Sequence, residues 1–203
     1  MNKELLNEII IRGNRRMTEH DLNLLDSTSR EIQAKTIVEI GSMDGCSSMV
    51  FGNFVKETGG MLYSIEPRPK TKWMQNISEL GLLENIKLIK AASPWLPWCE
   101  LPFPIDYLLI DGDHRCSRAI TDFVALGKMV RKGGRIAFHD IDGGKGIAEY
   151  IRQAIDICLR DDNLGSEQGS DYLVKQVART PLGRDRGTVV LEKLAEAKPY
   201  DVI

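Results

Sequence analysis

Short β-branched or apolar runs alternate along this chain with segments whose apolar residues recur at helical spacing, and that alternation constrains the fold more than any single motif. The runs are TIVEI (36–40), GMLYSIE (60–66), NIKLIKA (85–91), IDYLLID (105–111) and GRIAFHD (134–140). The helical segments are CSSMVFGNFVKE (46–57), TKWMQNISELG (71–81), SRAITDFVALGKMV (117–130) and GIAEYIRQAIDICL (146–159). Met49, Val50, Phe54 and Val55 share one face of the first. In the third, Ile120, Phe123, Val124 and Val130 face inward, with Ser117 as N-cap. In the last, positions 147, 150, 151, 154, 155 and 158 make an apolar stripe. Such alternation predicts right-handed βαβ crossovers and a mostly parallel sheet. Two final runs, YLVKQVA and GTVVLEK, flank a loop of turn formers, RTPLGRDRG, and are expected to pair as an antiparallel hairpin. The expectation is an α/β sheet of seven strands with the last one reversed.

The 203 residues suit one domain with a sizeable core, residues 1–33 forming N-terminal helices and 34–193 the sheet with its helices. A formal net charge of −2 gives no pull toward nucleic acid or an anionic membrane, and neither is expected as a partner. No apolar run approaches the ~20 residues that span a bilayer. The opening MNKELLNEIIIRGNRR is amphipathic, carries Glu4 and Glu8, and reads as a helix rather than a secretory signal. The cysteines, Cys46, Cys99, Cys116 and Cys158, form no CxxC pair, which argues against a paired-cysteine zinc site and fits a reducing cytoplasm. Cys46 and Cys116 fall near the strand ends described next but lack a visible activating partner.

In open α/β sheets ligands bind at the carboxyl ends of the strands, at a topological switch point. Gly41, Glu66, Ala92, Ser93, Asp111, His139 and Asp140 all fall at such ends. The stretch VEIGSMDGCSS (38–48) is a strand, a glycine turn and a helix start. Gly41 permits a sharp turn with close ligand approach, and Gly45 lets the helix begin beside the ligand, with Ser42 and Ser47 on the same loop. The Gly-x-x-x-Gly spacing, with Met43 between, is not the Gly-x-Gly-x-x-Gly of a dinucleotide site, which disfavours an NAD-dependent oxidoreductase. Glu39, just before the turn, repels phosphates and suits an ammonium or sulfonium group. Glu66 is placed to accept hydrogen bonds from two ribose hydroxyls. The competing reading is a tight strand–helix turn with surface acids.

VEIGSMDG and YSIEP resemble the first and second motifs of class I S-adenosylmethionine-dependent methyltransferases, in the order that family shows, over residues 34–193. The resemblance implies a Rossmann-like three-layer sandwich. It also implies that Glu39 and Gly41 hold the methionine part of the cofactor, Glu66 the ribose, and Ala92 and Ser93 the adenine edge.

The chain has three histidines, His20, His114 and His139, and two of them sit at strand tips beside acids, in YLLIDGDH and AFHD. These tips resemble the subset related to catechol O-methyltransferase and to the metal-binding, cephalosporin-hydroxylase-like O-methyltransferases of natural-product pathways. Position-by-position matching implies a divalent ion, magnesium or manganese, held by Asp111, His139 and Asp140. His139 departs from the oxygen ligand of the catechol enzyme, which shifts the preference toward manganese or iron. Asp111 and His114 are the implied catalytic residues, His114 as general base near its working pH. A bound ion and proximity to the methyl group would supply the rest of the activation.

The expected activity is therefore methyl transfer to a hydroxyl of a small molecule, a natural-product sugar or a catechol-like phenol. Alternatives are a metal-independent enzyme in which His114 alone takes the proton, and a non-catalytic nucleotide-cofactor-binding protein. The acceptor pocket is expected from the N-terminal helices, the hairpin and the proline-rich ASPWLPWCELPFP (92–104), with Trp95 or Trp98 as a wall and a second subunit of a homodimer as a further contributor. Arg179, Arg184 and Arg186 either meet an acidic acceptor or form a solvated hairpin tip. Asp142 and Lys145, in DIDGGKG, are expected either to border the same edge or to belong only to a flexible loop.

Overall fold

The computed structural model describes residues 1–93, 100–141, 147–160, 172–178 and 187–196. Trp95, Trp98, Cys99, Asp142, Lys145, Arg179, Arg184 and Arg186, named above, lie outside them.

The parallel strands β1 (Thr36–Ile40), β2 (Met61–Ile65), β3 (Ile86–Ile89), β4 (Ile105–Ile110) and β5 (Val130–His139) are joined to β6 (Tyr172–Ala178) and β7 (Thr188–Lys193) in one seven-stranded sheet of order β3-β2-β1-β4-β5-β7-β6. β7 runs antiparallel to both β5 and β6, so the last strand is the reversed one. The chain winds outward from β1 to β3, then returns to lay β4 against the other side of β1. That reversal makes the β1/β4 boundary the switch point.

Strand parity sorts the core into two layers. Ile37, Tyr107 and Leu109 face α1 (Lys3–Arg12), α2 (Glu19–Glu31), α3 (Cys46–Thr58) and α4 (Thr71–Glu79). Val38, Ile40, Leu108 and Ile110 face α5 (Cys116–Gly127) and α6 (Ile147–Arg160). α3 is buried along most of its length, with Met49, Phe51, Phe54 and Val55 at or near zero exposure. α2 starts at a capping box in which Thr18 and Asp21 satisfy each other's backbone N–H groups.

Two details differ from the sequence expectation. α5 starts at Cys116 with Arg115 at its N-cap, so Ser117 lies inside the helix. Its buried face is Ala119, Phe123 and Leu126, which turns Val124 to solvent at 40% exposure and Asp122 inward at 2%. Val130 belongs to β5, which begins before Gly133-Gly134 rather than after it. Those glycines sit in an irregularity where β4 and β5 shift register. In α6, Ile151, Ala154 and Ile155 are buried as the stripe requires, while Tyr150 is half exposed.

The N-terminal helices are tied to the sheet by polar contacts as well as packing. The buried Tyr107 hydroxyl lies 2.9 Å from Thr28 Oγ1, which itself donates to Leu24 O at 2.6 Å. Thr28 has one proton to give, so Tyr107 is the donor. Tyr107→Phe then leaves only a lone pair unmet and is expected to cost about 1 kcal/mol, whereas Thr28→Val strands a buried phenol O–H and is expected to cost about 2–3 kcal/mol. Urea unfolding midpoints of the two variants check the order.

Candidate active site

The first turn of the site follows from β1 ending beside β4. Asp111 N donates to Ile40 O at 2.9 Å, which continues the pairing past the strand ends. Gly41 turns there at φ +85°, and a Cβ on it would meet the Asp111 carbonyl oxygen at 2.3 Å, so no side chain fits. The loop closes with Gly45 N donating to Ser42 O at 2.7 Å, and Gly45, in the left-handed region, is the N-cap of α3. Asp44 fastens the loop from outside, facing Lys70 at 3.3 Å, Arg16 at 3.6 Å and Asn14 at 3.2 Å. Burial opposes ionisation of Asp44, but Asn14 and Lys70 outweigh it and hold the carboxyl below its usual value.

Glu39 lies beneath this loop. It shares the odd-numbered strand face with Ile37 and is fully buried under α3. Ser47 and Ser64 each donate to it at 2.7 Å, and Ser48, which also accepts from Trp73 Nε1, donates as well. Burial pushes its carboxyl up to about 7. Its connection to open space runs through Ser47, which lines a cavity while Glu39 does not.

Two cavities flank the β1 and β4 tips. The larger, about 370 Å³, is lined by Gly41, Glu66, Ala92, Ser93, Asp111 and Asp122, among others. Glu66 accepts from Arg68 N at 3.0 Å and Ser42 N at 3.3 Å. Ser93 donates to the buried Asp122, whose carboxyl burial pushes up to about 6. The smaller cavity, about 80 Å³, is lined by Ser42, Ser47, Asp111, His114 and Asp140, with Arg16 and Met17 from the α1–α2 connection. Ser42 Oγ is buried with no hydrogen-bond partner among the described residues. Asp111 belongs to both walls.

Behind the smaller cavity, Asp111, His139 and Asp140 bring one donor atom each within 4.8 Å of one another. Neighbouring residues on a strand point to opposite faces. Asp140 escapes that rule because it sits at φ +61°, a conformation Asp tolerates better than most residues. Its two oxygens then face different rings: Oδ1 is 3.6 Å from His139 Nδ1, and Oδ2 is 3.3 Å from His114 Nε2. His139 Nδ1 is 3.0 Å from Asp111 Oδ1. Burial alone would lower the His139 pKa, but the charge and hydrogen bond of Asp111, then Asp21 and Asp140, raise it to about 10.

The fold thus gathers Gly41, Ser42, Ser47, Glu66, Ala92, Ser93, Asp111, His114, His139 and Asp140 at one edge, with Glu39 and Gly45 supporting the loop. Sequence reasoning missed Asp21, Asp44 and Asp122. Each is a buried acid on or beside a helix, and no local pattern marks it as part of the site. Cys46 lines the smaller cavity, but burial pushes its thiol up, and Sγ donates to Gly13 O, so it reads as packing rather than as a nucleophile. No helix among the described residues is long and apolar enough to cross a membrane.

Residues 38–141 match the family described as a methyltransferase domain. No protein of curated function matches the chain in sequence. Among solved structures, the chain is similar to the O-methyltransferase TomG from Streptomyces achromogenes, involved in tomaymycin synthesis and bound to SAM, with TM-score 0.73 and 17% identity over 96% of this chain and 92% of that one. It is similar to the O-methyltransferase from Bacillus cereus in complex with SAH, with TM-score 0.70 and 17% identity over 95% and 92%. The SAH-bound methyltransferase PaMTH1 of Podospora anserina gives TM-score 0.66 and 14% identity over 96% and 89%. At such identities these likenesses establish a shared Rossmann-like fold.

The raised His139 pKa has a testable sign. A base whose folded pKa lies above its unfolded one stabilises the fold fully below the unfolded value and loses that contribution as pH rises to the folded one. In the absence of divalent ions, wild-type stability is expected to fall from pH 6.5 to about 10 by a component that His139→Gln lacks. Urea midpoints against pH, in chelator, give the difference between the two proteins.

Proposed function

Because this chain belongs to the methyltransferase-domain family, we propose that it transfers a methyl group from S-adenosylmethionine to a hydroxyl of a small molecule, assisted by a divalent ion, magnesium or manganese. The observation that carries this reading is one carboxylate, Asp111, forming a wall of two cavities at the switch point. One cavity has the lining a nucleoside needs, and the other has a histidine–carboxylate cluster. The cofactors bound in the similar O-methyltransferases, SAM in TomG and SAH in the Bacillus cereus enzyme, support the first half.

In the larger cavity Glu66, at the tip of β2, accepts the ribose hydroxyls, and Ala92 and Ser93 border the adenine. Gly41 lines the same cavity, so its backbone borders the methionine part. In the smaller cavity the donor set fits a divalent cation. Two carboxylates and an imidazole converge there. Asp111, His139 and Asp140 would hold the ion, and its Lewis acidity would lower the pKa of an acceptor hydroxyl. An imidazole in the set favours manganese over magnesium.

His114 is the general base in this reading. Asp140 Oδ2 faces its Nε2, which fixes that nitrogen as the N–H and leaves Nδ1 to take the acceptor's proton. Its side chain is 35% exposed, enough for contact with a ligand in the cavity it lines. The shared wall sets acceptor and methyl donor side by side, and proximity contributes the remaining rate enhancement.

Calorimetric titration of S-adenosylmethionine, with and without Mg2+ or Mn2+, on wild type and Asp140→Ala tests the reading. The variant is expected to keep cofactor affinity, lose ion binding, and turn over an acceptor about 10²–10⁴-fold more slowly. Absence of cofactor binding under every condition would overturn the proposal. Turnover of wild type that ignores chelators would instead leave His114 as the sole activator.

A further inference from the structure

We propose that Asp21 is a positioning residue for His139, a buried carboxylate that takes the Nε2–H from behind and so turns the Nδ1 lone pair toward the ion site. The inference rests on the metal-assisted reading above and extends it to a residue on a helix that the sequence motifs do not touch. The His139 side chain is 1% exposed, and its Nε2 has no hydrogen-bond partner among the described residues. Asp21 Oδ2 lies 3.7 Å away, within ion-pair range. A shift of roughly 0.5 Å would bring the pair to the ~3.2 Å of an N–H···O bond.

Asp21 is held with more contacts than a helix cap needs. It is fully buried, and its Oδ2 accepts from Thr18 N at 3.0 Å and Thr18 Oγ1 at 2.7 Å. Its Oδ1 accepts from Thr188 Oγ1 at 2.7 Å. Thr188 is the residue that pairs with His139 across β5 and β7. One strand register therefore sets both the ring and the hydroxyl that aims the carboxylate at it. A capping acid works in water, whereas this fully buried carboxylate carries its charge with hydroxyls, one amide and no cation nearer than the His139 ring.

Asp21 stands on the Nε2 side of the ring, opposite the Asp111–Asp140 cluster, and is not one of the three converging donors. Once an ion displaces the Nδ1 proton, a histidine that donates from Nε2 presents Nδ1 as the lone pair, and such outer carboxylates orient and strengthen metal-ligating imidazoles.

Manganese titrations of wild type, Asp21→Asn and Thr18→Ala test this, together with 15N-histidine NMR of wild type loaded with diamagnetic Zn2+. Asp21→Asn is expected to weaken Mn2+ binding roughly ten- to hundredfold, while Thr18→Ala, which loses the cap but keeps the carboxylate, stays within about threefold of wild type. The NMR spectrum is expected to show His139 bound through Nδ1 and protonated at Nε2. His20→Gln and His114→Gln assign the signals. Wild-type Mn2+ affinity in Asp21→Asn, equal losses in both variants, or ligation through Nε2 would each overturn the proposal. The NMR readout does not depend on any variant folding at position 21. If wild type takes up no divalent ion, the metal-assisted reading itself fails, before any variant is compared.

Discussion

The pairing of β1 with β4 is the contact on which the rest of this site depends. It joins strands far apart in sequence, and Asp111 N bonding to Ile40 O carries it one residue past the strand ends. That extra step forces Gly41 against the Asp111 backbone and leaves no room for a Cβ between them. The glycine loop, the start of α3 and the Asp111 carboxylate are thereby placed by a single approach of two backbones. Three features follow from it: the tight turn, the short path into the helix, and the two cavities meeting at one acid.

The acids of this edge divide into those that face space and those that hold the structure around it. Glu66 and Asp111 line open volume. Glu39 and Asp21 are enclosed among hydroxyl and amide donors, and Asp44, at the rim of the smaller cavity, is 4% exposed and held by Lys70 and Arg16. A buried carboxylate is tolerated where donors surround it. Here each enclosed acid fixes an element that an open one then uses: Glu39 the start of α3, Asp44 the glycine loop, and Asp21 the β5–β7 seam.

How much of this the sequence reveals depends on the range of the interaction. Strand ends were legible because an apolar run stopping at Gly41 or at Asp111 is a local signal, and the ligand edge of a parallel sheet follows from winding alone. The placement of His114, His139 and Asp140 at one edge was legible for the same reason. The left-handed bend at Asp140 was not, because nothing in FHD distinguishes it from a strand that continues. The face of α5 was misread because Val124 and Asp122 exchange the sides their polarity suggests. Ser93, from a distant loop, gives Asp122 a partner inside. Glu39 was placed at the ligand when strand parity with Ile37 already puts it under α3. Asp21 was invisible as a site residue, since a Thr-x-x-Asp spacing is accounted for by helix capping and its other partners lie at the far end of the chain.

The register of β7 has a consequence for how the molecule is assembled. Thr188 meets His139 only when the reversed strand docks between β5 and β6 in the pairing observed. A slip of one residue would set Gly187 or Val189 there, and neither side chain carries a hydroxyl for Asp21. Among the described residues, neither cavity is lined by β6 or β7. The setting of the His139 ring does depend on β7. The two cavities thus differ in what builds them: the larger is walled by the first strands of the sheet and their loops, while the ring behind the smaller one is set only once the reversed strand has paired in register.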